Sequence, residues 1–325
     1  MELHTRSCAA GLAAVVLTLT TASALAQNYP NRPIRMVVAL AAGGPTDTVA
    51  RILAARLSEL LSQQIVVDNR PGAGGSVAGD IVARAPADGY TLFVAANGTI
   101  AIAPSLLTKL PYNVAKDLAP VSLIGNSPLA VMVHPGVAAS SMKELIAFAR
   151  AHPGKINFGS AGQGSTGQLA TEQLKMMAGI NMTHVPYKGA GPALIGAVSG
   201  EIDLMISGVS TGLPYMKQRQ LRGLAVTSAK RLAVLPDLPT VAETVPGYES
   251  GSWYAVMVPA GTPRPVIDRL NKETANAIQS PDVNARLKGS GVEPEALSPE
   301  QLAEKIKMET ARWAKVIKAA GIKAQ

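Results

Sequence analysis

Apolar runs of strand length alternate along this chain with stretches in which apolar residues recur every three or four positions. Residues 34–40 form an almost unbroken apolar run, which is typical of a strand buried on both faces. After the Gly-Gly-Pro break at 43–45 the period changes, and Val49, Leu53 and Leu57 fall on one helical face. Because this alternation repeats, it predicts an α/β fold with largely parallel sheets.

The same pattern predicts two lobes. Further strands are predicted at 65–67, 91–95, 121–124, 156–158, 183–185, 202–206 and 221–227, and helices at 145–150, 166–178, 192–198, 266–278 and 299–320. Two β-rich segments, 121–134 and 253–259, bracket the second α/β block. If both segments cross between lobes, residues 27–128 plus 255–325 form lobe 1 and residues 129–254 form lobe 2. A hinge would then join the lobes across a cleft.

The first 26 residues have the layout of a secretory signal peptide. Arg6 precedes an apolar run, and Ala24-Leu25-Ala26 offers a cleavage site between small residues. The apolar run is shorter than the roughly 20 residues that a membrane span needs. We therefore expect an exported protein, with residues 1–26 removed.

Composition excludes several classes of protein. The 325 residues include one cysteine, which cannot form an internal disulfide or supply a cysteine-rich zinc or iron–sulfur site. The hydrophobic fraction of 47% is far above that of disordered chains. The net charge of +8 could suit nucleic acid, but the basic residues are scattered and few aromatic residues accompany them. We expect no nucleic-acid partner, no cofactor and no metal.

Two enzyme motifs are present without their partners. Residues 162–167 match G-x-G-x-x-G, but the acidic residue that binds ribose about 20 positions later is absent. Residues 208–212 match G-x-S-x-G, yet no histidine follows Ser210, so the order of an α/β-hydrolase triad is impossible. A serine triad in another order would need His134, His152 or His184. We expect a strand-to-helix turn here and no enzymatic activity.

Two glycine-rich loops offer a binding site for an anion. The first spans 41–47 and the second 159–166, and each joins a buried strand to the start of a helix. Ligands of open α/β sheets collect at that end of the strands, and helix starts present unpaired N–H groups to anions. Ser160, Ser165 and Thr166 add neutral hydroxyl donors. Tight turns that only need glycine are the alternative reading of both loops.

The sequence resembles the Bug family, the periplasmic substrate-binding components of tripartite tricarboxylate transporters. The resemblance runs from about Tyr29 to Ala320. Its specificity lies in the joint order of the motifs. They are Gly43-Gly44 with Asp47, the run 69–75 (NRPGAGG), 87–92 (ADGYTL), Phe158-Gly159-Ser160 with Gly162, Gly164 and Ser165, 184–189 (HVPYKG), 224–227 (LAVT), 238–240 (LPT) and 259–263 (PAGTP).

The resemblance implies a two-lobed clamshell of the type II-like periplasmic-binding-protein kind, each lobe a mostly parallel sheet flanked by helices. It implies a small carboxylate as ligand and the membrane permease subunits as partner, and we expect a monomer. The ligand-binding residues that it and the loop pattern indicate are Ala42, Gly43, Gly44, Thr46, Asp47, Ser160, Gly162, Gly164, Ser165, Thr166, Lys188 and Ser207. In this set Asp47 would accept main-chain or water hydrogen bonds, and Lys188 would neutralise ligand charge or serve as a surface lysine.

Three departures from the family pattern bear on the ligand. The Phe and Pro usual before the first Gly-Gly are replaced by the stretch 40–42 (LAA), the His-Leu pair after the second loop by Gln168-Leu169, and the Asp-Asn pair after Met205 by 206–208 (ISG). The first and last changes would alter the shape and polarity of the pocket, so an aromatic or a neutral ligand is an alternative to a small carboxylate. Two alternative functions also stay open: a sensor of the same fold that signals to a membrane partner, and an exported serine hydrolase that uses Ser210.

Overall fold

A computed structural model describes residues 29–322 of the chain. Its strands are β1 (Ile34–Val38), β2 (Ile65–Asn69), β3 (Thr91–Ala96), β4 (Leu118–Val133), β5 (Asn157–Ser160), β6 (Thr183–Pro186), β7 (Leu204–Gly208), β8 (Arg222–Val226), β9 (Gly251–Pro259) and β10 (Glu293–Pro294). Its α-helices are α1 (Pro45–Leu61), α2 (Ser76–Ala83), α3 (Ala103–Leu106), α4 (Val114–Asp117), α5 (Met142–Ala151), α6 (Thr166–Ala178), α7 (Ala190–Ser199), α8 (Val209–Lys217), α9 (Arg264–Gln279), α10 (Pro281–Gly289) and α11 (Pro299–Ala319). The predicted leader, residues 1–26, lies outside the described residues.

Each half of the molecule is built on three parallel strands. In the first half β1 lies between β2 and β3, and in the second half β5 lies between β6 and β7. The carboxyl ends of parallel strands meet at one edge of a sheet, so the loops after β1, β2 and β3 share one edge. The loops after β5, β6 and β7 share the corresponding edge of the second half.

Strand β4 belongs to both sheets. Residues 118–128 pair with β9, which itself pairs with β3, whereas residues 129–133 pair with β7 and β8. All of these pairings are antiparallel, as is that of β10 with β4. The predicted α/β fold is confirmed, and β4 with its antiparallel partners adds an antiparallel part to each sheet.

Helices cover both faces of each sheet, and strands β3 and β7 are buried on both faces. In the first half α1, α9 and α10 pack on one face and α2 and α11 on the other. In the second half α5 and α6 pack on one face and α7 and α8 on the other. Trp313 of α11 is fully buried, and Leu302 and Ile317 of the same helix are buried with it.

The long amphipathic helices near the end of the chain agree with their predicted bounds to within two residues. The sequence pattern missed α2, which contains Gly79, and the short π-helix Gly98–Ile102. Glycine lowers helix propensity, and a π-helical turn has no apolar period of its own. The G-x-S-x-G segment is a strand-to-helix turn as predicted, with β7 ending at Gly208 and α8 beginning at Val209. The described residues include no helix that is long and apolar enough to cross a membrane.

Candidate functional site

A cavity of about 550 Å³ opens between the two halves, at the edge where the parallel strands of both sheets end. Its first-half wall combines the loops after β1, β2 and β3 with strand β9. Its second-half wall is the loop between β5 and α6. The lining residues are Leu40, Pro45, Thr46, Ala73, Gly74, Ala96, Asn97, Gly98, Thr99, Ile102, Ala103, Leu106, Leu107, Gln163, Gly164, Ser165, Thr166, Ser252, Tyr254 and Ile322.

The loop after β1 turns directly into α1 at the cavity. Pro45 occupies the first helical turn, where its missing N–H costs no hydrogen bond. The Gly44 N–H closes the turn onto the Ala41 carbonyl at 3.3 Å. The N–H groups of Thr46 and Asp47 belong to the first turn, so no helical carbonyl is available to them. They therefore give this wall donors that an anion could use.

Asp47 is buried beneath this loop and holds its shape. Its Oδ2 accepts hydrogen bonds from the Gly43 N–H at 2.8 Å and from Arg51 Nε at 2.9 Å. Burial alone would raise the pKa of Asp47, but hydrogen bonds from Arg51, the Gly43 N–H and Asn69, with the charge of Arg51, hold it below its ordinary value. The carboxylate is thus charged and engaged with the protein.

The loop after β5 is closed by α6 and reaches across the cavity. Ser165 caps α6, and its Oγ accepts from the Gln168 N–H at 3.4 Å, which leaves the hydroxyl proton available to a ligand. Gly164 adopts φ +73°, and a Cβ placed there would lie 2.9 Å from Leu106 Cδ1 of the opposite wall. Gly164 therefore lets the two walls approach each other where a larger residue would hold them apart.

Ser160 and Gly162 shape the second loop from behind. Ser160 is 1% exposed, and its Oγ lies 3.0 Å from the Gly162 carbonyl and 2.7 Å from His184 Nε2. On the other side of the ring, Gln168 Nε2 lies 3.2 Å from His184 Nδ1. Gln168 Oε1 in turn accepts from the Gly164 N–H at 2.6 Å. Neither His184 nor Gln168 was among the predicted site residues.

The cavity also contains residues that sequence reasoning missed. Ala73 and Gly74 come from the loop after β2, and Asn97 to Thr99 from the turn after β3. Asn97 is fully buried and binds β9, donating to the Gly251 carbonyl at 3.0 Å and accepting from Ser252 Oγ at 3.1 Å. The rule that ligands collect at strand ends could have indicated the loops after β2 and β3. Nothing in the local sequence indicates Ser252 or Tyr254.

The predicted residues thus divide into three groups. Those that line the cavity are Thr46, Gly164, Ser165 and Thr166. Those that lie within the two loops but behind or beside the lining are Ala42, Gly43, Gly44, Asp47, Ser160 and Gly162. Lys188, which is exposed, and Ser207, buried at the end of β7, do not line it.

The chemistry of the walls is neutral. Among residues 29–322, none of the side chains that line the cavity carries a charge. Hydroxyls, amides and helix N–H groups are gathered at the two loops, and leucine, isoleucine and alanine side chains lie between them. Such a site can hold a carboxylate with neutral donors and pack an apolar body beside it. In the same part of the chain no group of three His, Cys, Asp or Glu side chains could hold a metal ion.

The histidines of residues 29–322 are engaged away from Ser210. His134 Nδ1 accepts from the Gly136 N–H, His152 packs on Phe148, and His184 contacts Ser160 and Gln168. The Ser160–His184–Gln168 arrangement has the outline of a catalytic triad but the wrong tautomer. Because Gln168 Nε2 donates to Nδ1, the ring proton sits on Nε2, so the imidazole cannot accept a proton from Ser160.

A family model described as the tripartite tricarboxylate transporter family receptor matches residues 49–322. The chain belongs to this family. The resemblance drawn from the motifs is therefore confirmed, and the protein is a solute-binding receptor of this family.

Relatives of this receptor family are similar over nearly their whole length. Protein BugT of Bordetella pertussis is 37% identical over 300 residues, which cover 92% of this chain and 92% of BugT. A solved R. palustris protein with adipate is 40% identical with a TM-score of 0.74, covering 91% of this chain and 99% of the other. MatC from Rhodopseudomonas palustris with bound malate is 33% identical with a TM-score of 0.71, covering 89% and 100%. These likenesses confirm the predicted two-lobed receptor fold.

Proposed function

We propose that this receptor captures a small carboxylate in the cleft and delivers it to the membrane permease of a tripartite tricarboxylate transporter. The observation that carries the proposal is the convergence of two helix starts, those of α1 and α6, on one cavity. Helix N-termini stabilise negative charge through free N–H groups and the helix dipole. The similar R. palustris proteins were solved with adipate and with malate, both of which are dicarboxylates.

The direct contacts in this proposal come from both halves. One carboxylate would accept from Thr46 and the first-turn N–H groups of α1, and the other from Ser165 and Thr166 of α6. Asp47, Ser160 and Gly162 would hold the loops without touching the ligand. Contacts from Lys188 and Ser207 stay predictions, since closure of the cleft would be needed to bring them to the ligand.

Two lobes that close over the ligand belong to the same proposal. Sheet pairing changes between Pro128 and Leu129, which suits a first lobe boundary at 128. Strand β9 pairs with the first sheet from Gly251 onward, so we place the return crossing near 251 rather than at 254. A hinge motion of the lobes would bury the carboxylate. We propose further that the receptor acts as a monomer, reaches the periplasm through the signal peptide 1–26 and has no enzymatic activity.

Ligand binding by the second loop is the first prediction. Adipate added at about 100 times its dissociation constant should stabilise the mature protein by about 2.7 kcal/mol, which thermal shift and calorimetry both detect. Replacing Ser165 and Thr166 with alanine should weaken adipate binding about tenfold or more, because each hydroxyl gives a hydrogen bond to a charged group.

The control for this pair is Ser199→Ala with Thr183→Ala, two exposed hydroxyls of the second half that lie outside the cavity. A panel of mono-, di- and tricarboxylates, aromatic acids and amides identifies the preferred ligand. Stabilisation by amides alone would refute the anion site. Turnover of an ester panel that disappears in Ser210→Ala would support the hydrolase instead.

The leucine, isoleucine and alanine side chains of the cavity predict a preference for a carboxylate with an apolar body. Because burial of each CH₂ contributes about 0.8 kcal/mol, adipate should bind about tenfold or more tightly than malate, which is shorter and carries a hydroxyl. Replacing Leu106 with asparagine should reduce that ratio, whereas Ile195→Asn on the exposed face of α7 should leave it unchanged. Calorimetric titration of both ligands measures the ratio. Equal loss for the two ligands in the Leu106 variant would show that Leu106 does not contact the ligand body.

A further inference from the structure

A directed chain of hydrogen bonds runs behind the second loop. The Gly164 N–H can only donate, so the atom of Gln168 that faces it at 2.6 Å is the carbonyl oxygen. Gln168 Nε2 is then a donor and points to His184 Nδ1 at 3.2 Å. His184 must carry its proton on Nε2, which donates to Ser160 Oγ at 2.7 Å. The Ser160 hydroxyl donates a hydrogen bond to the Gly162 carbonyl at 3.0 Å.

This chain fixes both ends of the loop that reaches the cavity. Gly162 and Gly164 bracket Gln163, and Ser165 follows directly. Gln168 and Ser160 are 4% and 1% exposed, so water cannot readily replace the bonds they make. Each donor in the chain has one acceptor, and the order holds only while the imidazole is neutral.

We propose that His184 is a positioning residue for ligand binding, and that the receptor loses affinity for its carboxylate when the His184 imidazole takes up a second proton. The inference rests on the proposed function for its binding readout, because it concerns the same loop. It adds a residue and a pH response that the cleft lining does not contain.

Protonation breaks the chain in either orientation of the Gln168 amide. An imidazolium donates from both nitrogens, so Gln168 Nε2 would face a second donor at Nδ1. If the amide turned to accept from Nδ1, its NH₂ group would face the Gly164 N–H instead. One of the two donors is left without an acceptor in both cases, and the loop has to move.

The groups packed around the ring favour the neutral form. The Phe158 ring of β5 stacks on the His184 ring with centroids 4.8 Å apart. Lys175 Nζ of α6 lies 5.4 Å from the centroid of the Phe158 ring. Glu172 of α6 pairs with Lys175 at 2.9 Å, which ties its charge to the ammonium group. Burial, followed by the charge of Lys175, lowers the pKa of His184 from 6.5. The imidazole is therefore neutral at pH 7 and becomes charged on acidification.

The binding experiment compares the wild-type protein with His184→Gln, using adipate from about pH 8 down to the pH at which NMR shows the His184 ring of the wild type to be protonated. The variant keeps an amide donor toward Ser160 and cannot titrate. At pH 8 its affinity should lie within about fivefold of the wild type, the value of one hydrogen bond. Below the pKa of His184 the wild type should lose up to about tenfold per pH unit relative to the variant. Protonation of adipate cancels in that ratio.

A constant ratio across the pH range overturns the proposal, as does a ratio that moves in favour of the wild type, which would mean that the imidazolium attracts the ligand. Failure of the wild type to bind adipate at pH 8 counts against the proposed function alone. The ligand-free measurement then decides the role of His184.

That measurement is hydrogen exchange of the Gly164 amide by NMR. Protection of this N–H in the wild type should fall relative to His184→Gln as the imidazole protonates. Equal protection in the two proteins at the pH where NMR shows the His184 ring to be protonated contradicts the proposal whether or not any ligand binds. Gln168→Glu should raise the pKa of His184, because a carboxylate accepts from Nδ1–H, and an unchanged imidazole titration would separate Gln168 from the ring.

Gln173→Met is the matched control for damage to α6. Gln173 is also buried, and it donates to the Glu249 carbonyl at 3.2 Å, away from the loop. This variant should lower the melting temperature without changing the pH dependence of adipate binding. If Gln173→Met changed the pH dependence of adipate binding as much as His184→Gln does, that dependence would reflect damage to α6 and not the loss of His184.

Discussion

Replacing Asp47 with alanine should lower the free energy of unfolding by about 2 kcal/mol and weaken adipate binding at least about tenfold. The substitution removes the acceptor of the Gly43 N–H and the buried partner of Arg51. Without them the loop after β1 loses the carboxylate that holds it against the start of α1. Chemical denaturation measures the stability, and calorimetric titration measures the binding.

Asp80→Ala is the matched control for this substitution. Asp80 also pairs with an arginine four residues later, Arg84, at 2.8 Å, but both side chains are more exposed than Asp47. An exposed pair of this kind contributes less than about 1 kcal/mol, so we expect a small loss and unchanged binding.

The loss in Asp47→Ala should depend on pH. The pKa of Asp47 is below its ordinary value of 3.8 in the folded protein, so its contribution is complete above that pH. It disappears as the pH falls through the lower, folded-state pKa. A loss that persists unchanged in acid, or binding that survives intact at neutral pH, would contradict the role given to this carboxylate.

Gly167→Ala should also reduce stability by about 2 kcal/mol and weaken adipate binding about tenfold. A Cβ at Gly167 would lie 2.4 Å from the Ile206 carbonyl oxygen, which is backbone of β7 and cannot rotate away. The start of α6 would have to shift off the end of β7, and it would carry Ser165 and Thr166 with it. Denaturation and adipate titration measure the two effects.

Gly191→Ala is the corresponding control in α7. Nothing lies within 4 Å of a Cβ built at Gly191, and the residue is helical. Alanine there should stabilise the protein by up to about 1 kcal/mol because it has the higher helix propensity. If both alanine variants bind adipate as the wild type does, the contact between α6 and β7 does not set the site.

Local pattern was sufficient to predict the loops that begin with a strand end and finish with a helix start. The change of apolar period after residue 45, and the small residues before Thr166, mark both helix N-termini that line the cavity. The same pattern predicted the α/β fold and the amphipathic α9 and α11, since each depends on spacing over a few turns.

The other wall residues depend on contacts between distant segments. Asn97 reaches the site only by binding Gly251, which is 154 positions away in the sequence. Ser252 and Tyr254 lie in the cavity because β9 returns from the second half beside β3. Likewise the buried bond between Ser160 and His184 depends on the pairing of β5 with β6. No local periodicity encodes such pairings, so sequence reasoning could name the loops but not the residues that hold them.

The sharing of β4 by both sheets has a consequence for how this protein could be dissected. Cutting the chain between Pro128 and Leu129 would leave residues 118–128 and β3 in one fragment and β9, which pairs with both, in the other. Each fragment would expose an unpaired apolar strand edge, which favours aggregation. We therefore expect that neither fragment of this single cut folds on its own, because the first sheet needs strands from both ends of the chain.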